Sequence, residues 1–172
     1  MGAVGSSVSE RIISTANFGD LRVSEDQLLL MPRGMIGIPD TEWVLLTREP
    51  DSPFVWLQSA QDPQCALPVT APEMFFPDYQ LALPEQALEG LGIDSEDTVE
   101  ALCVVRATEQ LTDFTINLRG PLIFNAATRV GAQVVNAIDY PVQQPLWEQR
   151  GINQLTVTHP NLPVVRIPEV SC

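Results

Sequence analysis

Residues 32–84, PRGMIGIPDTEWVLLTREPDSPFVWLQSAQDPQCALPVTAPEMFFPDYQLALP, decide the fold class of this chain. Nine prolines punctuate the stretch at intervals too short for ordinary helices, because proline cannot donate the backbone hydrogen bond that a helix interior requires. Between the prolines lie short runs rich in branched and aromatic residues: WVLLT at 43–47, FVWLQ at 54–58 and YQLAL at 79–83. These runs predict three strands joined by turns, and the glycines at 34 and 37 suit a turn or bulge.

The residues that follow predict one short helix and then more strands. LPEQALEGLGI at 83–93 places Pro84 at a helix start and glycines where a helix can end. Residues 98–108, 112–118 and 121–126 then predict three closely spaced strands of a meander, and 129–138 a further strand. Strands recurring every ~8–12 residues indicate an all-β, mainly antiparallel barrel or sandwich with at most one short helix.

A composition shift after Tyr140, where prolines recur and the regular strand spacing ends, helps to divide the chain into one domain with two extensions. We expect a flexible N-terminal extension at 1–14, a domain at 15–146 and a proline-containing C-terminal extension at 147–172. The last segment contains two short β-prone runs, LTVT and VVRI. Docking of these runs at a sheet edge, of this domain or of a second copy, is favoured over disorder because sheet edges tend to be covered.

The charge of the chain restricts its partners. Twenty-two Asp and Glu residues face nine basic ones, all Arg, for a formal net charge of −13. The protein is therefore not expected to bind nucleic acid or an anionic membrane by itself, and a basic macromolecule is the expected partner. The absence of Lys excludes Schiff-base chemistry and the phosphate-loop lysine.

Histidine and cysteine indicate neither a metal site nor a catalytic centre. His159 is the single histidine and lies in a proline-flanked segment, and the three cysteines never form a C-x-x-C pair. We expect reduced thiols, a cytoplasmic location, no cofactor, no metal and no catalytic residue. The acidic run DSEDTVE at 94–100 lacks the order of a calcium loop and is interpreted as a solvated turn.

Aromatic residues concentrate at 53–63 and 71–84, where a core role is favoured over a docking surface. Phe75 and Phe76 are adjacent, so that one of them should lie near the surface if the stretch is extended.

Three short sequence elements occur together along the chain. They are W-L-Q-S at Trp56–Ser59, P-D-Y at Pro77–Tyr79, and N-L-x-x-P-x-x-x-N with Asn117, Leu118, Pro121 and Asn125. With MPRGMIGIPDTEWVLL before them and DYPVQQPL after them, they closely resemble the flagellar assembly factor FliW family from about Phe18 to Leu146. Gly37, Ile38 and Pro39 depart from the family's usual G-F-E.

The resemblance implies a small β-barrel-like domain with an additional small sheet and almost no helix. It also implies a non-catalytic partner-switching protein that binds the translational repressor CsrA, relieves repression of flagellin synthesis, and binds flagellin before export. Asp62, Asp78 and Asp94, in predicted connections, are our candidate contacts for CsrA, and Phe76 and Leu118 are our candidate anchors for flagellin.

Two other functions stay open from the residues alone. One is an acidic chaperone-like binder of a different client, which requires an exposed apolar patch. The other is a small hydrolase with a carboxylate pair, which requires a pocket with perturbed acids.

Overall fold

A computed structural model describes residues 9–92, 99–147, 157 and 160–167 of the chain. In these residues strands and turns dominate, with one short helix, α1 at Glu85–Gly90. The strands are β1 (Glu10–Thr15), β2 (Gly19–Ser24), β3 (Leu28–Leu30), β4 (Glu42–Thr47), β5 (Val55–Ser59), β6 (Ala66–Thr70), β7 (Val99–Arg106), β8 (Thr115–Ile116), β9 (Leu122–Asn125), β10 (Gly131–Gln133), β11 (Gln144–Pro145) and β12 (Val164–Arg166).

Ten of these strands form one sheet, and β1 and β2 form a separate hairpin. The main order is β10-β9-β7-β6-β5-β4-β12, with β3 also beside β4, and β8 between β7 and β11. The ladders are antiparallel except for β12, which pairs with β4 in parallel. The predicted all-β fold, with an additional small sheet and one short helix, is confirmed.

The main sheet is not closed by a ladder. A single isolated bridge joins Leu30, at the end of β3, to Val130, the residue before β10. The β-barrel-like shape implied by the resemblance is therefore an open sheet whose two ends approach each other at one bridge.

Strand β4 is buried on both faces, which explains why its sequence is almost continuously apolar. Trp43 and Leu45 point into the interior of the main sheet, with Leu57 and Phe124. Val44 and Leu46 point to the opposite face, where the β1–β2 hairpin covers them. Burying each such side chain stabilises the fold by about 1.5–3 kcal/mol, so the hairpin is part of the folded domain.

The loop between β3 and β4 is a tight turn, as its glycines predict. Gly34 and Gly37 have φ values of +66° and +82°. A Cβ atom on Gly34 would lie 2.6 Å from the Ile38 carbonyl oxygen, so that only glycine fits.

Three strand predictions need correction. Residues 79–83 form no strand, because the side chain of Asn136 takes the backbone groups of Gln80 and Ala82. Strand β8 covers only Thr115–Ile116 of the predicted 112–118, and β10 only Gly131–Gln133 of the predicted 129–138.

The predicted meander is also wrong. Strands β8 and β9 both pair with β7, at different parts of its length, instead of with each other. Strand β7 spans eight residues, which is long enough to accept one short partner at its end and another along its first half.

Neither Phe75 nor Phe76 lies at the surface, because the stretch is not extended, which is the condition for one of them to be exposed. Their side chains are 0% and 6% exposed. The chain forms a 3-10 turn at Pro72–Met74 rather than an extended segment, so that the alternation of faces does not apply.

Each of the two segments assigned to extensions contains a strand. Strand β1 begins at Glu10, inside the stretch assigned to the N-terminal extension, because Ile13 and Thr15 alternate with exposed residues and their side chains are buried. In the C-terminal extension, VVRI supplies β12, which docks on β4 as an edge strand. Most of LTVT lies outside the described residues.

Candidate protein-binding surface

A shallow pocket brings together three residues that the sequence singled out. Phe76, Asp78 and Leu118 line it with Tyr79, Tyr140 and Gln144, and it encloses about 150 Å³. We name the pocket and its rim the Tyr79 surface. One wall comes from the segment after β6. The other comes from Leu118, before β9, and from the stretch 140–144 that leads into β11.

Local backbone turns place the first wall. Pro72 occupies the first turn of the 3-10 helix, a position that its fixed φ suits. The Phe76 amide donates to the Pro72 carbonyl over 2.9 Å, and the Tyr79 amide donates to the Phe76 carbonyl over 2.9 Å. These turns direct Phe76 into the core below and leave Asp78 exposed.

Tyr79 locks the two walls together. Its hydroxyl donates to the Leu118 carbonyl over 2.7 Å and accepts from the Asn136 side-chain amide at 3.3 Å. Its ring lies 4.8 Å from that of Tyr140, centroid to centroid. The Tyr140 hydroxyl in turn accepts from the Gln80 amide over 3.0 Å.

Asn136 is the buried centre of this network. Asn136 is only 2% exposed, and its side-chain amide donates to the Gln80 carbonyl over 2.8 Å. Its side-chain oxygen accepts from the amides of Ala82 at 3.0 Å and Ile138 at 3.2 Å. A buried amide with all these partners holds the irregular segments on either side of it together.

Burial changes the acid–base properties beneath the surface. Loss of solvent raises the pKa of the Tyr79 hydroxyl well above its usual value. Burial likewise raises the pKa of the Cys103 thiol to about 12. Both groups are therefore neutral at physiological pH, and Cys103 acts as a small core side chain, as predicted.

The proposed anchors lie in the floor of the pocket. Phe76 is 6% exposed and Leu118 only 2% exposed, and both belong to the cluster formed by Phe75, Val105 and Ile116. The exposed apolar area is contributed by side chains of the same segments: Leu81, Val135 and Val142. The Ala137 amide donates to the Ala82 carbonyl over 2.8 Å, which brings the segments of Leu81 and Val135 side by side.

Asp62 lies elsewhere, in the exposed turn between β5 and β6. The buried Gln58 side chain donates to the carbonyls of Ser59 at 3.0 Å and Asp62 at 3.3 Å, and the Ser59 hydroxyl accepts from the Asp62 amide. The W-L-Q-S element thus positions this turn. Asp94 and His159 lie outside the described residues.

Sequence reasoning missed Asn136 and Tyr140. The available signal was Asn136 itself, a polar residue that follows the apolar run VGAQVV with no turn residue beside it. A buried position for such an amide requires specific partners, but the chain offers too many backbone groups for the pattern to name them.

Two further observations concern the described parts of the chain. No cluster of three or more His, Cys, Asp or Glu side chains is arranged there to hold a metal ion. The same residues contain no helix of the length and hydrophobicity needed to cross a membrane.

Comparison with known proteins defines the family. A family model described as FliW protein matches residues 11–146. The flagellar assembly factor FliW of Natranaerobius thermophilus is 33% identical over 142 residues, which cover 81% of this chain and 94% of that protein. The chain belongs to the FliW family.

Other FliW proteins support the same assignment. The flagellar assembly factor FliW of Syntrophus aciditrophicus is 36% identical over 124 residues, covering 72% of this chain and 78% of that protein. A crystal structure of the flagellar assembly factor FliW superposes with a TM-score of 0.73 at 29% identity, covering 82% of this chain and 100% of that one. The resemblance drawn from the sequence is confirmed.

Two asparagines of the FliW-like N-L-x-x-P-x-x-x-N element have structural roles in this chain. Asn117 accepts from the amides of Arg119 at 3.1 Å and Gly120 at 2.9 Å. Asn125 accepts from the Ala127 amide over 2.9 Å. Both are turn-forming contacts typical of asparagine, and Asn117 orders the turn that follows Leu118 in the Tyr79 surface.

Proposed function

We propose that this protein is a non-catalytic flagellar assembly factor that switches between two protein partners, a CsrA-type translational repressor and flagellin. The observation that carries the proposal is the match to the FliW family over residues 11–146. Binding of the repressor would relieve repression of flagellin synthesis, and newly made flagellin would withdraw the protein from the repressor.

Charge supports the repressor partnership. A formal net charge of −13 attracts a protein whose RNA-binding face is rich in Arg and Lys, and it repels the RNA itself. Asp62 and Asp78 are both exposed in turns, where a partner can reach their carboxylates. We keep Asp94 as a candidate from the sequence.

The Tyr79 surface supports the flagellin partnership. It has a pocket floored by Phe76 and Leu118, and the segments that form its walls also carry the exposed apolar side chains of Leu81 and Val142. A segment of flagellin that is buried in the filament is apolar and needs shielding before assembly. Asp78 stands on the rim of the same pocket, so that a repressor bound there and flagellin bound in the pocket would exclude each other.

Competition between purified proteins tests the switch. A labelled CsrA-type repressor should bind the full chain saturably, and the association rate should fall as salt rises from low to physiological concentration. Unlabelled flagellin monomer should then release the repressor. Failure of both proteins to bind, or a ternary complex without release, would contradict the proposal.

Surface variants separate the two binding sites. Leu81→Ser and Val142→Ser should weaken flagellin binding several-fold with unchanged melting, whereas Ile12→Ser, at an even more exposed apolar residue on β1, should not. Asp78→Arg and Asp62→Arg should slow repressor association, and Asp51→Arg, in another exposed turn, is the matched charge control. Equal effects of test and control variants would reject the assigned surfaces but not the switch.

A further inference from the structure

A second cavity lies on a different part of the molecule, between the β1–β2 hairpin and β12. It encloses about 420 Å³ and includes Arg48. The other lining residues come from the β1–β2 hairpin, with Arg22 among them, and from the end of the C-terminal strand, with Arg166 among them. We name it the arginine cavity. Its C-terminal wall lies beyond the residues matched by the family model, which end at 146.

The charge of this cavity is opposite to that of the protein. Three of the nine arginines line it, and Asp20 is the one carboxylate among the described residues that line it. A local excess of positive charge in a chain of net charge −13 focuses attraction for anions at this place.

Two of the arginines have guanidinium groups available to a ligand. The nearest carboxylate to Arg22 is Glu10, with 3.9 Å between Nε and Oε2, and both side chains are largely exposed, which makes the pair weak. Arg166 is exposed and has no ion pair among the described residues.

Arg48 has a fixed position. Its Nη2 donates to the Asn17 carbonyl over 2.9 Å, and its guanidinium carbon lies 5.0 Å from the centre of the Phe18 ring. Stacking on an aromatic ring leaves the remaining N–H donors of a guanidinium directed outward. Arg48 thus presents a preorganised positive group beside two exposed ones.

The backbone of the cavity wall is a sheet edge. Strand β12 ends the main sheet, and among the described strands it pairs only with β4. Such an edge presents N–H and C=O groups that an extended peptide can pair with. Apolar side chains of Phe18, Leu21 and Val165 lie along the same cavity, where alternate residues of the added strand can pack.

We propose that the arginine cavity binds an extended acidic peptide segment of a protein partner, which pairs with the outer edge of β12 and places its carboxylates on Arg22, Arg48 and Arg166. The guanidinium fork matches a carboxylate with two parallel hydrogen bonds, so that carboxylates are recognised by charge and by shape. The partner is separate from the basic repressor proposed above, because its charge has the opposite sign.

Peptide retention tests the proposal directly. The probe is an immobilised pool of hexapeptides in which Asp or Glu alternates with Val, Ile or Leu, and the matched pool carries Asn or Gln instead. The full chain should be retained about tenfold better by the acidic pool at low salt, the difference expected from one charge-assisted contact. Equal retention by both pools would overturn the proposal.

Arginine variants locate the binding. The double variant Arg22→Glu with Arg166→Glu should lose retention, and Arg33→Glu with Arg106→Glu, which changes two exposed arginines elsewhere by the same charge, should keep most of it. If the first variant melts early, Arg22→Gln with Arg166→Gln replaces it. Equal loss in test and control variants would show a general charge effect and overturn the proposal.

Three other occupants have their own outcomes. Sedimentation that shows a dimer dissolved by the Arg22→Glu, Arg166→Glu change would assign the cavity to a second copy. Release from the peptides by a short RNA, but not by the acidic peptide in solution, would assign it to nucleic acid. A full chain that is retained equally by both peptide pools, and that gains a preference for the acidic pool only when residues 168–172, which include Glu169, are deleted, would assign it to the chain's own tail. Each of these results would overturn the proposal.

Discussion

The Tyr79 surface and the arginine cavity are concave regions of one small protein, but they are built in different ways. The Tyr79 surface is made of irregular backbone held by the buried side chain of Asn136 and by the hydroxyls of Tyr79 and Tyr140. The arginine cavity is made of regular strands whose charged side chains extend into solvent, with Arg48 alone held by a hydrogen bond and an aromatic ring.

The difference separates two ways of preparing a binding site. In the Tyr79 surface the hydrogen bonds are satisfied internally, so that shape and apolar contact remain for a partner. In the arginine cavity Arg22 has only a weak ion pair, and among the described residues Arg166 has no ion pair and β12 has no second strand partner. A partner can therefore supply hydrogen bonds and opposite charge there. One region would select by fit and the other by charge.

Removal of the C-terminal strand should have the largest effect, because it removes one wall of the arginine cavity and leaves the Tyr79 surface in place. Truncation after Trp147 deletes β12 and the buried side chains of Leu162 and Ile167, which are 8% and 4% exposed. At about 1.5–3 kcal/mol for each side chain, the free energy of unfolding should fall by ~3–6 kcal/mol. The truncated domain should remain folded, lose acidic-peptide retention and keep repressor binding.

Thermal melting, sedimentation and binding assays measure this outcome, and truncation after Ile167 is the control that keeps β12 in place. Cutting after Trp147 preserves its ring contact with Phe75, at 5.1 Å between centroids, and its hydrogen bond to the Leu111 carbonyl. A truncated chain that cannot fold would make β12 an essential part of the domain.

Asn136→Ala should damage the Tyr79 surface selectively. The substitution leaves the Gln80 carbonyl and the Ala82 and Ile138 amides without their side-chain partner, which should lower the free energy of unfolding by ~2–4 kcal/mol. Flagellin binding should weaken while retention on acidic peptides is unchanged. Asn161→Ala, the same change at an exposed asparagine, is the control. It should change neither the free energy of unfolding, measured by calorimetry, nor flagellin binding.

Alkaline pH should lower the free energy of unfolding through the buried groups beneath the Tyr79 surface. Burial raises the pKa of Cys103 in the folded state to about 12 from an ordinary value of 9.0. Only the unfolded chain releases this proton between those values, so the free energy of unfolding is at its full value below pH 9 and falls as pH rises towards 12. Cys103→Ala should reduce the slope, and the raised pKa of Tyr79 should leave part of it.

Denaturant unfolding at several pH values measures the slope. Cys65→Ala is the comparison, because Cys65 also has a pKa raised by burial but is only half-buried at the edge of another cluster. A slope that Cys65→Ala reduces more than Cys103→Ala would contradict this account of the core. The arginine cavity should be insensitive, since arginine stays charged throughout.

Sequence patterns predicted best where strands lie in long ladders. WVLLT and FVWLQ became β4 and β5 nearly residue for residue, because prolines and turns bound them and their apolar residues meet buried faces. YQLAL has the same alternation but forms no strand, since the side chains of Asn136 and Tyr140 take both backbone groups of Gln80 and the amide of Ala82. Alternation reports burial, and it does not distinguish a strand partner from a side-chain partner.

The candidate residues were recovered unevenly for a similar reason. Phe76, Asp78 and Leu118 meet in one pocket, although the sequence separates Leu118 from Asp78 by forty residues. Tyr140 and Asn136 were missed because their importance comes from contacts with residues more than fifty positions away. A pattern read along the chain contains no information about which distant backbone group a side chain will meet.

The sequence by itself determined the fold class, the family and the sign of the overall charge, because proline spacing, local propensity, motif order and composition are properties of neighbouring residues or of their sum. Tertiary structure alone decided that Asn136 locks the Tyr79 surface and that three arginines from the hairpin, from the end of β4 and from β12 surround one cavity. Those arrangements depend on strand order and on which faces the core buries, and both are settled only when distant segments pack together.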